Sequence, residues 1–455
     1  MLKMTVSETA KAINGSFTAE GEYSCVSIDS RDIPAQCMYI AIKGERFDGH
    51  DFIPSAIEHG AACIMSDRDI PGVKVPVIKV EDTRRGLIAL AAYYRAKFDI
   101  PVVGVTGSVG KTTTKEMVAA VLRRKYNVLA TEGNLNNDIG LPRMCLRLDE
   151  SITAAVLEMG MSGFGEISLL TNIAKPSIGI ITNIGVSHIE KLGSREGILK
   201  AKLEILEGME KSAPIILNAD DDMLMSVTES IENPIITCGI ENMKADCRAM
   251  NIVQTDEGME FTLIYGEETL HVSIPAVGKH NVHNALVAFV CGKQLGLTSE
   301  QAIAGLKDYV PSGMRQKIVL KNEMTFIEDC YNASPDSIKA ALGVLTTIKC
   351  TGWRIAVLGE MMELGSYGAE GHRICGECAR KLGVDLLYVV GGENAQWYMK
   401  GAGDMVENGR AKYFETKEEL AKALIEALKP GDAILFKASR SVKLEQVIEM
   451  VEEAF

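Results

Sequence analysis

Hydrophobic and polar positions along the chain fall into three successive rhythms. Up to about residue 98, short apolar runs at 23–28, 38–42 and 62–65 read as strands, and 83–97 reads as a helix. Turn signals such as Phe47-Asp-Gly-His50 separate them. From Pro101 the pattern becomes an apolar strand, a glycine-rich loop and a helix. Buried-looking strands follow at 154–157, 178–182 and 214–217, interleaved with helical stretches, which is the pattern of a parallel sheet covered by helices. After Pro311-Ser-Gly313 a second alternation begins: strand 325–327, helix 336–347, strand 354–358, helix 368–382, strand 386–390, helix 417–428 and strand 433–436. The expectation is an α/β chain of three domains, 1–98, 99–312 and 313–455. The first is a small α/β domain, the second a phosphate-loop parallel-sheet domain and the third a Rossmann-like α/β domain.

A length of 455 residues agrees with about three domains. At 47% hydrophobic and 24% charged, the composition is that of a folded globular chain. The net charge of −13 argues against a protein that holds nucleic acid or anionic membrane over a broad surface. It leaves room for a small phosphate ligand cradled by backbone amides. No segment approaches the roughly 18–20 apolar residues of a membrane span. The start, Met1-Leu-Lys-Met-Thr-Val, lacks the apolar region and cleavage site of a secretory signal. The 11 cysteines read as small core residues in a reducing compartment, so a cytoplasmic location is expected. Cys375-Gly-Glu-Cys378, with His372 just before it, reads as helix packing rather than as a zinc or redox site, since there is no second such pair. Nothing here sets an oligomeric state, and a monomer is compatible.

The most informative stretch is Val102-Val-Gly-Val-Thr106-Gly107-Ser108-Val109-Gly110-Lys111-Thr112-Thr113. A glycine loop between an apolar strand and a helix offers backbone amides, a helix N-terminus, an ammonium and a hydroxyl, a set suited to a triphosphate. The full GxxxxGK[ST] pattern is not met, because Val105 stands where glycine would, leaving TGxxGKTT. The stretch predicts an ATP site, with Lys111 on the β- and γ-phosphates and Thr112 on Mg²⁺. A second acid is needed to hold the metal, and Glu158 ends the apolar strand 154–157 where an α/β sheet presents its ligands.

That loop is followed in order by Thr131-Glu-Gly-Asn-Leu-Asn-Asn-Asp-Ile-Gly-Leu-Pro142, Leu157-Glu-Met-Gly160, Thr182-Asn-Ile-Gly-Val-Ser-His188, Gly278-Lys-His-Asn-Val-His-Asn-Ala285 and Asp329-Cys-Tyr-Asn-Ala-Ser-Pro335. This run resembles the Mur ligases, ATP-dependent amide-forming enzymes of peptidoglycan precursor synthesis. Within that family, Val357-Leu-Gly-Glu-Met-Met-Glu-Leu-Gly365 followed by His372 resembles the branch that adds D-alanyl-D-alanine to UDP-N-acetylmuramoyl-tripeptide. The branch that adds the third residue carries an Asx-Asn-Pro-Arg-like motif in its last domain, and none is found here. The nearest alternatives inside the ligase class join an amino acid to a UDP-muramoyl-peptide or glutamate to a folate. Outside it, a phosphate-loop ATPase switch would share the loop, but has no need of a further anion-binding domain or of a metal ligand near His188.

The resemblance implies attack of a substrate carboxylate on the γ-phosphate of ATP, followed by displacement of phosphate by an amine. It implies that His188 and Glu158 are Mg²⁺ ligands and that Asn183 holds the loop or contacts ATP. Asn281 and Asn284 would share a face of a helix at 281–295, with Asn281 reading the adenine edge or, alternatively, capping the helix. Arg315 would reach an ATP phosphate, Asp329 would serve the ribose or the metal shell, and Tyr331, Asn332 and Ser334 would shape a nucleotide lid. Phe436-Lys-Ala-Ser-Arg-Ser441 would contact acceptor or phosphate, or form a solvated turn. The N-terminal segments Asp29-Ser30-Arg31 and Lys43-Gly-Glu-Arg46 resemble those that hold the UDP part, and Asn134, Asn136 and Asn137 resemble residues lining the substrate path.

One lysine stands apart. The helical stripe 198, 202, 205, 209 is apolar except at Lys202, and an ammonium on a buried stripe is unfavourable unless paired or neutralised. Lys202 is therefore expected either to pair with a carboxylate or reach water, or to take up CO₂ as a carbamate that bears on a second Mg²⁺ beside His188. The resemblance agrees with the carbamate, because Ala201-Lys202-x-Glu matches the segment where several Mur ligases carry one.

Overall fold

The computed structural model of the chain describes residues 1–311 and 315–455. The border expected near 312 lies outside the described residues. Among the described residues three main sheets organise the chain. The first runs in the order Ser16–Phe17, Val77–Lys79, Cys63–Ser66, Cys37–Ile40, Cys25–Ser27, parallel except at its first pair. Two of the cysteines expected as thiols, Cys25 and Cys37, face each other across the last two of these strands and are joined as a disulfide.

The central sheet has nine strands. Its parallel part runs Ile235–Gly239, Ile215–Asn218, Ile178–Ile181, Val102–Thr106, Ala154–Glu158, Val128–Ala130. Cys247–Gln254 continues it from the far edge, pairing parallel with Ile235–Gly239, and Met259–Tyr265 and Glu268–Ile274 follow antiparallel, an extension the sequence reading did not anticipate. Strand Val102–Thr106 is buried throughout, and the chain order reverses across it, so the carboxyl ends of it and its neighbours open a crevice. The third sheet runs Lys317–Lys321, Met324–Glu328, Ala433–Lys437, Arg354–Gly359, Leu386–Val390, Ala411–Phe414, antiparallel only at its first pair.

Most expected elements are present within one or two residues, because unbroken apolar runs of four to six residues have no other way to be buried than as central parallel strands. Helix Thr83–Arg95 is the exception to a simple division into domains. Its apolar face, with Leu87, Leu90, Ala91 and Tyr94, packs at once on Met65 of the first sheet and Val80 just beyond it, and on the helices Gly140–Cys145 and Glu166–Ala174 of the central domain, all in one continuous core. The third sheet has its own cores on its two faces. Helix Gly368–Lys381 buries Cys375, and the buried His372 accepts the Met361 N–H at Nε2 while Nδ1 lies 2.6 Å from the Gly368 carbonyl. That is the helix-packing role expected for this stretch, and the described residues hold no group of three or more His, Cys, Asp or Glu placed to bind a metal.

Candidate active site

The loop after Val102–Thr106 is held by backbone geometry that only glycine provides. Gly107 has φ +144°, and a Cβ there would sit 1.8 Å from Thr182 Oγ1; Gly110, at φ +87°, opens helix Lys111–Leu122. The neighbouring strand end braces the loop. Asn183 Oδ1 accepts the Val109 N–H at 2.9 Å, while Asn183 Nδ2 and Thr182 Oγ1 donate to the Val109 carbonyl at 2.9 and 2.6 Å. Lys111 Nζ arches back to donate to the Gly107 carbonyl at 2.8 Å and the Ser108 carbonyl at 3.3 Å. Burial lowers the lysine's pKa, Glu158 opposes that effect and Arg315 adds to it. Loop amides, helix N-terminus and ammonium converge as a triphosphate requires.

Glu158 is buried at the end of its strand. Thr112 Oγ1 donates to its Oε2 and Asn136 Nδ2 to its Oε1, each at 2.8 Å. A hydroxyl oxygen and a carboxylate side by side, next to the phosphate loop, form an oxygen donor set of the kind a hard divalent cation takes.

The third domain faces this loop across one cleft of about 1020 Å³, which Ser108 to Thr113, Glu158 and His188 line from the central domain and Arg315, Asp329 and Lys437 from the third. The Arg315 guanidinium lies 4.3 Å from the Tyr331 ring centre, a stacking contact. Lys437 Nζ donates to Asp329 Oδ2 at 2.6 Å and to the Asn332 carbonyl at 3.1 Å, so the lysine of the 436–441 stretch is an internal partner of the expected ribose or metal-shell carboxylate. Ser439 Oγ accepts the Met362 N–H, and Arg440 pairs with Glu445.

Asn281 and Asn284 lie on one buried face of helix Lys279–Gln294. Gly278 is the N-cap, so the capping alternative for Asn281 does not hold. Its Nδ2 donates to the Val277 carbonyl and to Gln316 Oε1, and its Oδ1 accepts from Asn284 Nδ2, whose Oδ1 accepts from Thr114 Oγ1. The two amides thus tie the phosphate-loop helix to the start of the third domain, inside the cleft.

Other expected residues are not brought into it. Ser30 is buried, Arg31 is exposed with its guanidinium on both oxygens of Asp29 at 2.9 and 2.7 Å, and Lys43 and Arg46 lie on an exposed loop; none lines the cleft. Asn136 and Asn137 line it while Asn134 does not. Asn137 Oδ1 accepts the Gly140 N–H at 2.8 Å and so shapes the loop end. Lys202 does not line the cleft. It is 2% exposed, no carboxylate stands within ion-pair distance among the described residues, and burial with Lys111 nearby pushes its pKa well below that of an ordinary lysine. The pairing alternative therefore fails.

Two side chains of the cleft region went unremarked in the sequence. Glu363, inside the 357–365 motif, brings Oε2 to 2.6 Å from His188 Nδ1, and Lys115 is buried one turn below Lys111. A lysine three residues after Thr112 falls on the same helix face, the one signal that could have singled it out.

Models of the Mur ligase family match along the chain: its catalytic domain at 22–95, the middle domain at 105–292 and the glutamate ligase domain at 314–440. The UDP-N-acetylmuramoyl-tripeptide–D-alanyl-D-alanine ligase of Bacillus subtilis is 39% identical, covering 100% of this chain and 99% of its own length. A crystal structure of MurF from Acinetobacter baumannii superposes with a TM-score of 0.93 at 31% identity, over 100% of this chain and 99% of that one. MurF from Thermotoga maritima, solved in complex with ADP, gives 0.85 at 30% identity over 94% and 97%. The chain belongs to the Mur ligase family.

Proposed function

We propose that the protein is an ATP-dependent ligase that joins D-alanyl-D-alanine to UDP-N-acetylmuramoyl-tripeptide, releasing ADP and phosphate, as a cytoplasmic step of peptidoglycan precursor synthesis. Full-length similarity to ligases of that name supports the substrates. The single structural observation that carries the ATP-dependent chemistry is the cleft in which Lys111, Thr112 and Glu158 face Arg315 and Asp329. In this reading residues 1–98 hold the UDP part through Ser30, Arg31, Lys43 and Arg46, residues 99–312 hold ATP, and residues 313–455 close over the nucleotide and hold the acceptor. No described helix is long and apolar enough to cross a membrane.

The chemistry follows from charge. A substrate carboxylate must meet a γ-phosphate, and two anions approach only where cations screen them. Lys111 and Arg315 stand on opposite walls of the cleft and serve that purpose, Lys111 as a point charge and Arg315 as a planar fork of donors. The amide network of Asn281 and Asn284 fixes the wall against which the nucleotide base would rest. Once the carboxylate is phosphorylated, the acceptor amine attacks the acyl carbon and phosphate leaves. The oxygens of Thr112 and Glu158 fit Mg²⁺, which when bound would neutralise phosphate charge, and the family resemblance assigns His188, on the same cleft, to the ion as well. Lys202, buried without an anionic partner among the described residues, fits reaction with CO₂: its neutral amine forms an N–C bond, one proton is released, and a carboxylate-like group replaces the cation.

A screen of ADP release over UDP-muramoyl-peptides, amino acids and dipeptides tests the reading. Release that requires both UDP-N-acetylmuramoyl-tripeptide and D-alanyl-D-alanine is expected. Release with a single amino acid as acceptor would assign the chain to another ligase type, and hydrolysis without either substrate would make it an ATPase switch.

A further inference from the structure

Thr131 lies one residue past the edge strand Val128–Ala130, and all of its polar atoms are engaged. Its N–H donates to the Val156 carbonyl at 3.0 Å, its Oγ1 accepts the Glu158 N–H at 2.9 Å, and its carbonyl accepts from Lys115 Nζ at 2.6 Å. The parallel register pairs Ala154 with Val128 and Val156 with Ala130; one further rung would give the Thr131 carbonyl to the Glu158 N–H. The ammonium takes that carbonyl instead, and the hydroxyl steps into the rung. Strand pairing ends at Ala130. The segment beyond then folds back over the end of Ala154–Glu158, where the Asn136 carbonyl accepts the Gly160 N–H at 2.8 Å and Asn136 Nδ2 reaches Glu158 Oε1.

Lys115 is 1% exposed, with the Glu116 carboxylate beside its ammonium. A cation this deep is costly to desolvate, and an apolar side chain would fill the volume at lower cost. Nor does Lys115 line the cleft. What it does provide is placement, because Thr112, on the same helix face, supplies the other contact to the Glu158 carboxylate.

We propose that Lys115 is a positioning residue for the metal site: by capturing the Thr131 carbonyl it ends the edge strand and sets the Glu158 carboxylate between Thr112 and Asn136. The inference rests on the reading of Glu158 as a metal ligand.

The test is Mn²⁺ affinity of the ADP-loaded protein, read by electron paramagnetic resonance, alongside ADP affinity without metal. Lys115→Met is expected to weaken Mn²⁺ binding about tenfold, the usual scale for a residue that orients a metal ligand, and to leave metal-free ADP affinity unchanged. Combined with Glu158→Gln it should weaken binding no further than Glu158→Gln alone, because it acts through that carboxylate. Thr131→Val, which removes only the hydroxyl from the rung, should reproduce the loss and decides the matter where Lys115→Met fails to fold. Wild-type Mn²⁺ affinity in a folded Lys115→Met or in Thr131→Val, with Glu158→Gln impaired, would overturn the positioning role alone. Additive losses in the double variant would do the same. Wild-type affinity in Glu158→Gln would overturn the metal reading beneath it.

Discussion

His188 Nδ1 stands 2.6 Å from Glu363 Oε2, and this contact joins the central domain to the third across the rim of the cleft. Both residues hold a left-handed backbone, with φ +64° and +62°, which costs a non-glycine residue free energy that the surrounding structure must offset. The imidazole holds the Glu363 carboxyl below the usual glutamate pKa. Next to the pair, Gly365 approaches Glu190 so closely that a Cβ would lie 2.9 Å from its Cγ. The contact therefore has the form of a clasp between domains. Glu363→Ala is expected to lengthen and broaden the distance between spin labels on the two domains in the ligand-free protein, and ATP analogue with substrates should restore the wild-type distance. The border expected near 312 lies outside the described residues, so the pair is the clearest handle on closure. An unchanged distance distribution would show that other contacts hold the domains together.

Lys111→Ala is expected to cut ATP-dependent turnover by at least about a hundredfold, on the scale seen when one preorganised donor to a developing charge is lost. Among the described residues its ammonium bonds only the Gly107 and Ser108 carbonyls, so the fold should persist. ADP release, with circular dichroism as the control, reads both. Near-wild-type turnover would displace the triphosphate from this loop.

Lys202→Ala should abolish the acyl-phosphate half-reaction while ADP binding persists, as isotope exchange and calorimetry would show. In rigorously CO₂-depleted buffer the wild-type protein should lose activity and regain it on addition of bicarbonate. Full activity without CO₂, with an unmodified lysine at 202 by native mass spectrometry, would eliminate the carbamate.

Asp48 supports a small charged cluster in the first domain. It accepts the His50 N–H at 3.0 Å, stands 2.7 Å from His50 Nδ1 and accepts from Arg68 at 2.8 Å. The backbone N–H of His50, then its ring, then Arg68 hold the Asp48 carboxyl well below the usual range. A depressed carboxylate contributes stability that is fully present above its unfolded value near 4 and is lost as pH falls through the folded value. Asp48→Asn should therefore cost about 1.5–3 kcal/mol at pH 7, the scale of hydrogen bonds to a charged group. Urea unfolding should show nearly the same gap at pH 5 and a smaller one at pH 3. A gap that widens on acidification would contradict the assignment.

How much was legible in the sequence depended on whether a role is local. The phosphate loop, the strand ending in Glu158 and the buried stripe around Lys202 rest on neighbours in the chain, and all three have the expected structure. The antiparallel strands 247–274 were missed because their alternation is broken: Met250 is exposed and the pairing with the next strand shifts register after it. Glu363 and Lys437 could not have been assigned partners, since His188 and Asp329 reach them only after the domains and sheets assemble. Nor could spacing reveal that Arg31 spends its guanidinium on Asp29, two residues away, rather than pointing it outward.

Helix Thr83–Arg95 belongs to the cores of the first and central domains together, whereas the third sheet is buried on its own two faces. Heat should therefore not dismantle the chain in three steps. Residues 1–311 are expected to melt as one cooperative unit and 315–455 as a second, giving two calorimetric transitions, with ADP expected to raise both because the cleft has walls in each. The same partition says where slow motion is concentrated. The first domain is expected to move together with the central sheet, and the opening of the cleft to reside in the third domain.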